Sequence, residues 1–329
     1  MILKHAPGRR CLILQGRRPG LEIYTMEAGD NRNGFSPEIF EKVYRLEYQA
    51  HMVVEGLLSG QHKSPARGFN VEFLEHRPYY TGDDLRYVDW KVYAKNECFY
   101  VKQHEEETNL RAYMVLDTSS SMDFGGKTGG RKLAQARLLS AALSYLFLKQ
   151  GDSVGLLPAG GGAGGGEFIQ PRSARGHLHR LIAGMLETQV QGEANLHRAL
   201  RVLSDRMGRG GVLMVFSDLL EEPGPVQDSL KIIRGRGNEV VLFHVLDETE
   251  LDFPFTRASR FIDPESGDEV AADPTAARSL YMKNLEEFIG GYRDFCRRVD
   301  ADYTIAPTSK SAGEVLIEFL QKRERRARR

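Results

Sequence analysis

The sequence predicts an α/β protein: a doubly wound, mostly parallel six-stranded sheet, preceded by a small β-rich N-terminal subdomain. Three observations predict it. From Arg111 onward, short apolar runs alternate with longer segments of helical period, the pattern of strand–helix–strand units around a parallel sheet. The longest apolar run, Leu138 to Leu148, is broken by Ser140 and Ser144; it is too short to span a bilayer and reads as a buried helix. A length of 329 residues, 41% apolar and 27% charged, suits one large globular domain with an appendage, or two domains.

The elements follow in order. Residues 1–35 are rich in Gly and Arg without clear period and are expected to be a disordered leader. Ser36-Pro37-Glu38 opens a helix, with Ser as N-cap and Pro at the first helical position; it runs to about Leu58, where Gly60 can end it. Gly68 to Glu75 alternates apolar and polar like a half-exposed strand, and Phe99 to Gln103 suggests another. Residues 36–108 therefore form the N-terminal segment, and residues 109–321 the main domain. Within it, strands are expected at 111–117, 153–157, 167–170, 212–217, 239–246 and 303–306. Helices are expected at 131–149, 176–187, 195–207, 226–235 and 275–298, with a last one running into the basic tail 322–329. An insert at 250–275 contains a hairpin over Arg260 to Val270.

Composition narrows the function classes. Lys+Arg and Asp+Glu both count 45, so no net charge draws the chain to nucleic acid or anionic lipid. Cys11, Cys98 and Cys296 lie far apart, which argues against a disulfide framework and for a reducing cytoplasm. The first residues lack the apolar core of a signal peptide.

The chemistry concentrates at the end of the first sheet strand. The buried run Ala112 to Leu116 ends in Asp117-Thr118-Ser119-Ser120-Ser121. In an extended turn, alternate residues project to one side, so Asp117, Ser119 and Ser121 converge. One carboxylate and two hydroxyls make a hard oxygen site suited to Mg²⁺ or Mn²⁺. The commonest doubly wound order sets strand 1 beside strand 4, with the ligand crevice between their carboxyl ends. Strand 4 ends in Phe216-Ser217-Asp218, so Asp218 meets Asp117 at that crevice. Without the sheet order, Asp117 would merely cap a turn and Asp218 open a loop.

This arrangement, Asp117-x-Ser119-x-Ser121 with Asp218, resembles the metal-ion-dependent adhesion site of von Willebrand factor A domains. Three further segments narrow the resemblance: Arg77-Pro78-Tyr79-Tyr80-Thr81-Gly82-Asp83-Asp84-Leu85-Arg86-Tyr87-Val88-Asp89-Trp90-Lys91, Gly151 to Leu156, and Leu246-Asp247-Glu248-Thr249-Glu250. Over about residues 37–321 the chain resembles the bacterial family of unknown function number fifty-eight. The resemblance implies a von Willebrand factor A-like fold and a protein partner, a MoxR-type AAA+ ATPase with its client. One position departs from the pattern. Where the adhesion site has a coordinating Thr, the segment Gly192-Glu193-Ala194-Asn195 carries Ala194, so either the metal is held weakly, or a water, Glu193 or Asn195 fills that place.

Rival motifs are weaker. Gly125-Gly126-Lys127-Thr128 lacks the first glycine of a phosphate loop, since Ser121 stands there. The glycines of 159–166 precede a strand rather than a helix, so no helix N-terminus supplies amides to a phosphate. His177 and His179 are two apart at a helix start and do not share a face, so a surface or capping role is expected. Asp83, Asp84 and Asp89 lie among Arg77, Arg86 and Lys91, an ion-paired segment around the only tryptophan, Trp90, and a second candidate partner contact. The basic tail reads as a solvated helix end, with no aromatic to stack on bases. The function expected is a non-enzymatic interaction module whose Mg²⁺ (or Mn²⁺), held by Asp117, Ser119, Ser121 and Asp218, is completed by a partner carboxylate. The alternatives are metal-independent binding through the same fold, or a metal-dependent phosphotransferase or hydrolase.

Overall fold

The computed structural model describes residues 37–59, 76–78, 100–102, 110–125, 132–160, 166–174, 176–188, 190, 192, 194–256, 259–262, 269–272 and 274–327. Helix α1 (Pro37–Ser59) forms where the Ser-Pro-Glu start predicts it. Val43, Leu46, Ala50, Val54 and Leu57 are buried, a three-and-four spacing that puts one stripe of the helix inward. That stripe lies on helices of the main sheet layer, so α1 adds a cover to the α/β body. Two short strands, β1 (His76–Pro78) and β2 (Tyr100–Lys102), pair antiparallel. The segment Asp83 to Trp90, with Arg86 and Asp89, lies outside the described residues, as does the side chain of Arg77.

The main sheet follows: β3 (Arg111–Asp117), α2 (Lys132–Lys149), β4 (Ser153–Ala159), β5 (Ile169–Arg172), α3 (His177–Glu187), α4 (Leu196–Arg206), β6 (Val212–Ser217), α5 (Pro223–Gly235) and β7 (Glu239–Leu246). After it come a short α6 (Glu248–Asp252), the hairpin β8 (Ser259–Ile262) and β9 (Glu269–Ala272), α7 (Pro274–Arg298), β10 (Asp302–Pro307) and α8 (Ala312–Ala327). The sheet runs β10-β7-β6-β3-β4-β5. All neighbours are parallel except β4 and β5. This is the doubly wound, mostly parallel six-stranded sheet that the sequence predicts, with the first strand beside the fourth, β3 against β6.

Alternation along β3 divides the core. Tyr113 and Val115 pack with Leu200 and Leu203 of α4, Leu230 and Ile233 of α5, and Tyr292 and Phe295 of α7. On the other face lies α2, whose run Leu139 to Leu143 is buried on all sides, as the apolar stretch predicts. Among the described residues, no helix is long and apolar enough to cross a membrane.

One expectation is corrected here. His177 is not a surface group: it is 5% exposed, and its Nε2–H donates to the Val154 carbonyl at 2.7 Å, tying α3 to β4. Burial holds its pKa below the usual histidine value. Its neighbour His179 is half-buried beside Glu47 and the Tyr44 ring of α1. The basic tail starts as an exposed helix end, as expected, with three of its side chains bonded back to the chain. Lys322 donates to the Tyr303 carbonyl at 2.6 Å, Arg323 reaches Asp302 at 3.1 Å, and Arg326 reaches Asp302 at 2.7 Å. Lys322, Arg323 and Arg326 thus hold the start of β10, a use that a count of basic residues does not reveal.

Candidate functional site

Parallel strands deliver their carboxyl ends to one rim of the sheet, and the candidate site sits there. Asp117 ends β3 and is 1% exposed. Its Oδ1 accepts from the Ser119 amide at 2.9 Å, and its Oδ2 accepts from the Ser217 hydroxyl at 2.5 Å. Ser217 ends β6 and in turn accepts from the Leu219 amide at 2.8 Å, which helps hold the turn at Leu219 with its φ of 57°. Ser217 thus joins the two strand ends.

The serines converge as expected, but by another route. Ser119 is extended, whereas Ser120–Asp123 is a 3₁₀ turn. The strand end followed by that tight turn brings Ser119 Oγ within 3.0 Å of Ser121 Oγ, both buried. This loop is clamped from two sides. Thr118 N donates to the Ala159 carbonyl at 2.7 Å, and Ser120 N donates to the Gly192 carbonyl at 3.0 Å.

Gly160 makes the first clamp possible. Its φ is 153°, and a Cβ there would lie 2.6 Å from Thr118 Oγ1 and 2.7 Å from the Thr118 carbonyl carbon. We expect Gly160→Ala to lose about 1–3 kcal/mol of stability, read as a lower denaturant midpoint, because backbone rather than a flexible side chain must give way.

Asp218 lies at the rim beside Asp117, fully buried. Its Oδ2 takes a hydrogen bond from Lys132 Nζ at 2.7 Å, and its Oδ1 takes a 3.3 Å bond from the Leu220 amide. Lys132, the first residue of α2, is 1% exposed and also donates to Glu250 Oε1 at 2.9 Å. Burial alone would pull its pKa down, but Asp218 and Glu250 outweigh it and hold Lys132 above the usual lysine value. Sequence reasoning missed Lys132 and Glu250 because they come from segments 86 and 32 residues away from Asp218. Part of the signal was present: Asp247-x-x-Glu250 is a capping box that starts α6, with Thr249 N donating to Asp247 Oδ1 and Asp247 N donating to Glu250 Oε2.

Asp117 has no such cation among the described residues. Burial, and then the nearby Asp218 charge, push its pKa up to about 7. A buried carboxylate held by hydrogen bonds alone is the place where a cation gains most. The donors fit a small hard ion. An octahedral ion with metal–oxygen distances of ~2.1 Å has neighbouring ligand oxygens about 3.0 Å apart, and the two serine hydroxyls stand at that separation. Among the described residues, no group of three His, Cys, Asp or Glu is placed to hold a metal, so any ion here would rest on hydroxyls and few carboxylates. Ala194 offers no ligand oxygen. Glu193 lies outside the described residues, and Asn195 makes no capping bond at the start of α4. Glu221 closes that helix end instead, taking the Leu196 amide at 2.7 Å and the His197 amide at 3.3 Å.

Behind Asp218, His244 is fully buried. Its Nε2–H donates to the Asp218 carbonyl at 2.9 Å, and the Tyr303 hydroxyl donates to its Nδ1 at 2.6 Å. Both nitrogens are satisfied in the neutral ring, and burial lowers its pKa to about 4. Unfolded, the same ring takes a proton near pH 6.5. Below that value the unfolded state therefore binds more protons, and the stability supplied by neutral His244 is lost as pH falls toward 4. We expect the stability advantage of the wild type over His244→Asn to shrink by about 2–3 kcal/mol between pH 7 and pH 4, as read by urea unfolding.

A family model described as "Protein of unknown function DUF58" matches residues 75–287. Uncharacterized proteins of Mycobacterium bovis and Mycobacterium tuberculosis are 31% identical over 246 residues, covering 72% of this chain and 75% of theirs. Among solved structures, the conserved hypothetical protein BatB from Bacteroides thetaiotaomicron aligns over 66% of this chain and 99% of its own, at 13% identity and a TM-score of 0.38. The SpRpn10 VWA domain aligns over 63% of this chain and 93% of its own, at 11% identity and a TM-score of 0.36.

Proposed function

The chain belongs to the family described as protein of unknown function DUF58, and from that membership we propose that it is a non-enzymatic module binding a protein partner through a Mg²⁺-dependent, adhesion-type site. The observation that carries this reading is the buried Asp117 carboxylate, without a cation among the described residues, bonded to the Ser119 amide where the Ser119 and Ser121 hydroxyls stand 3.0 Å apart at the carboxyl rim of the sheet. Asp117, Ser119 and Ser121 would hold the ion, with Asp218 beside it. Bound there, the metal would offer an electrophilic open position. The protein's own residues orient the hydroxyls and keep Asp117 dry. One carboxylate and two neutral oxygens leave most of the ion's charge for an incoming Glu or Asp. The partner we propose is a MoxR-type AAA+ ATPase together with its client, in the cytoplasm, on the resemblance of the Arg77–Trp90 segment and its companions.

A second reading, binding without metal, is favoured by Ala194 and by the internal ammonium of Lys132 on Asp218. The test is a tagged pull-down from native lysate in Mg²⁺ or EDTA, with wild type and Asp117→Ala/Asp218→Ala. An AAA+ ATPase recovered only by the wild type with Mg²⁺ supports the first reading. The same recovery in EDTA supports the second, and recovery by the variant in every condition removes the crevice from binding.

A further inference from the structure

The crevice contains a charged group that the adhesion-site pattern does not include. Lys132 Nζ lies 2.7 Å from Asp218 Oδ2 and 2.9 Å from Glu250 Oε1, with 1% of its side chain exposed. The free oxygens of both acids are also engaged, Asp218 Oδ1 by the Leu220 amide and Glu250 Oε2 by the Asp247 amide. The Phe124 ring covers the ammonium at 5.7 Å. Both oxygens of each aspartate are engaged by groups of the chain, but only Asp218 is held by a cation; Asp117 takes its bonds from the Ser119 amide and the Ser217 hydroxyl.

We infer that Lys132 is a built-in counter-ion that competes with the divalent metal for Asp218, leaving the metal to Asp117, Ser119 and Ser121. This rests on the metal reading proposed above and says how that site is tuned. Three carboxylates and one ammonium leave the cluster a formal charge of minus two, which one divalent ion neutralises. With Asp218 tied to Lys132, the ion keeps a single protein carboxylate and stays electrophilic toward a partner's acid. Without the ammonium, Asp218 turns to the metal and satisfies it from within. Lys132 is therefore a positioning residue that gives up metal affinity for receptiveness to a partner.

The test is Mn²⁺ titration of the full chain, followed by electron paramagnetic resonance of free Mn²⁺, for the wild type, Lys132→Met, Asp218→Asn, the double variant and Asp117→Asn. Removing one fixed positive charge a few ångströms from the ion should tighten Mn²⁺ about tenfold or more in Lys132→Met. Asp218→Asn alone, which keeps the shape and the Lys132–Glu250 pair, should weaken Mn²⁺ by no more than about the tenfold that one nearby charge supplies, well short of the loss in Asp117→Asn, and in the double variant the gain should vanish. If Lys132→Met binds no tighter, or if Asp218→Asn loses Mn²⁺ as fully as Asp117→Asn does, Asp218 is already a ligand and the inference is overturned while the metal reading stands. If neither wild type nor any variant binds Mn²⁺, the metal reading falls and takes this inference with it. Should Lys132→Met fail to fold without metal, the Asp218→Asn arm decides alone.

Discussion

Asp117→Asn is expected to weaken Mg²⁺ and Mn²⁺ binding by about 100-fold or more, since it removes the one carboxylate that no protein cation serves. The same change should not harm the metal-free fold. The Asn side chain keeps an oxygen for the Ser119 amide, which now bonds Asp117 Oδ1 at 2.9 Å. It also removes a charge that is 1% exposed and close to Asp218. The sign of the pH effect follows from the direction of the shift. Asp117 is raised from 3.8 to about 7 in the folded chain, by burial first and by Asp218 second. Between those values the folded state binds more protons than the unfolded one, so this residue's contribution to stability is present at low pH and falls as pH rises to 7. In EDTA, the stability of Asp117→Asn relative to wild type should therefore climb between pH 4 and pH 7. Urea unfolding across that range checks it. Adding Mg²⁺ should raise the melting temperature of the wild type and leave the variant unmoved. A variant that melts at the same temperature as wild type at every pH, with and without Mg²⁺, would show that Asp117 is neither strained nor a ligand.

Lys132→Met is expected to produce the largest loss of stability of any single change at the rim, about 3–5 kcal/mol in EDTA, because it strands Asp218 and Glu250 with no cation. Asp218 is fully buried, and the Glu250 side chain is 18% exposed, so solvent can compensate only the second. The loss should be non-additive. Lys132→Met/Asp218→Asn should recover a good part of it, since an apolar and a neutral partner together cost less than one orphaned charge. Guanidinium midpoints for the two single variants and the double variant give the coupling directly. Equal midpoints for wild type and Lys132→Met would mean that the bridge does not stabilise the fold.

By itself the sequence determined the strand–helix alternation, the buried helix over Leu139 to Leu143, the boundaries of β7 and the convergence of Asp117, Ser119 and Ser121. These are local or periodic properties: burial on one face repeats at a fixed spacing, and hydroxyls two residues apart stay near each other. The pairing of β3 with β6, which joins Asp117 to Ser217 at the rim, was also legible, because doubly wound chains favour one strand order. What only the tertiary structure decided was the ionic and hydrogen-bonded environment of those residues. Lys132 opens a helix and looks like an ordinary solvated base in the sequence, yet Asp218 and Glu250, from distant turns, enclose it. His177 likewise reads as a surface group until β4 supplies a carbonyl for it. The physical reason is the same in each case. A charged or polar side chain far from its partner in sequence carries no periodic signal, and its burial becomes affordable only when the fold brings the compensating group within about 3 Å.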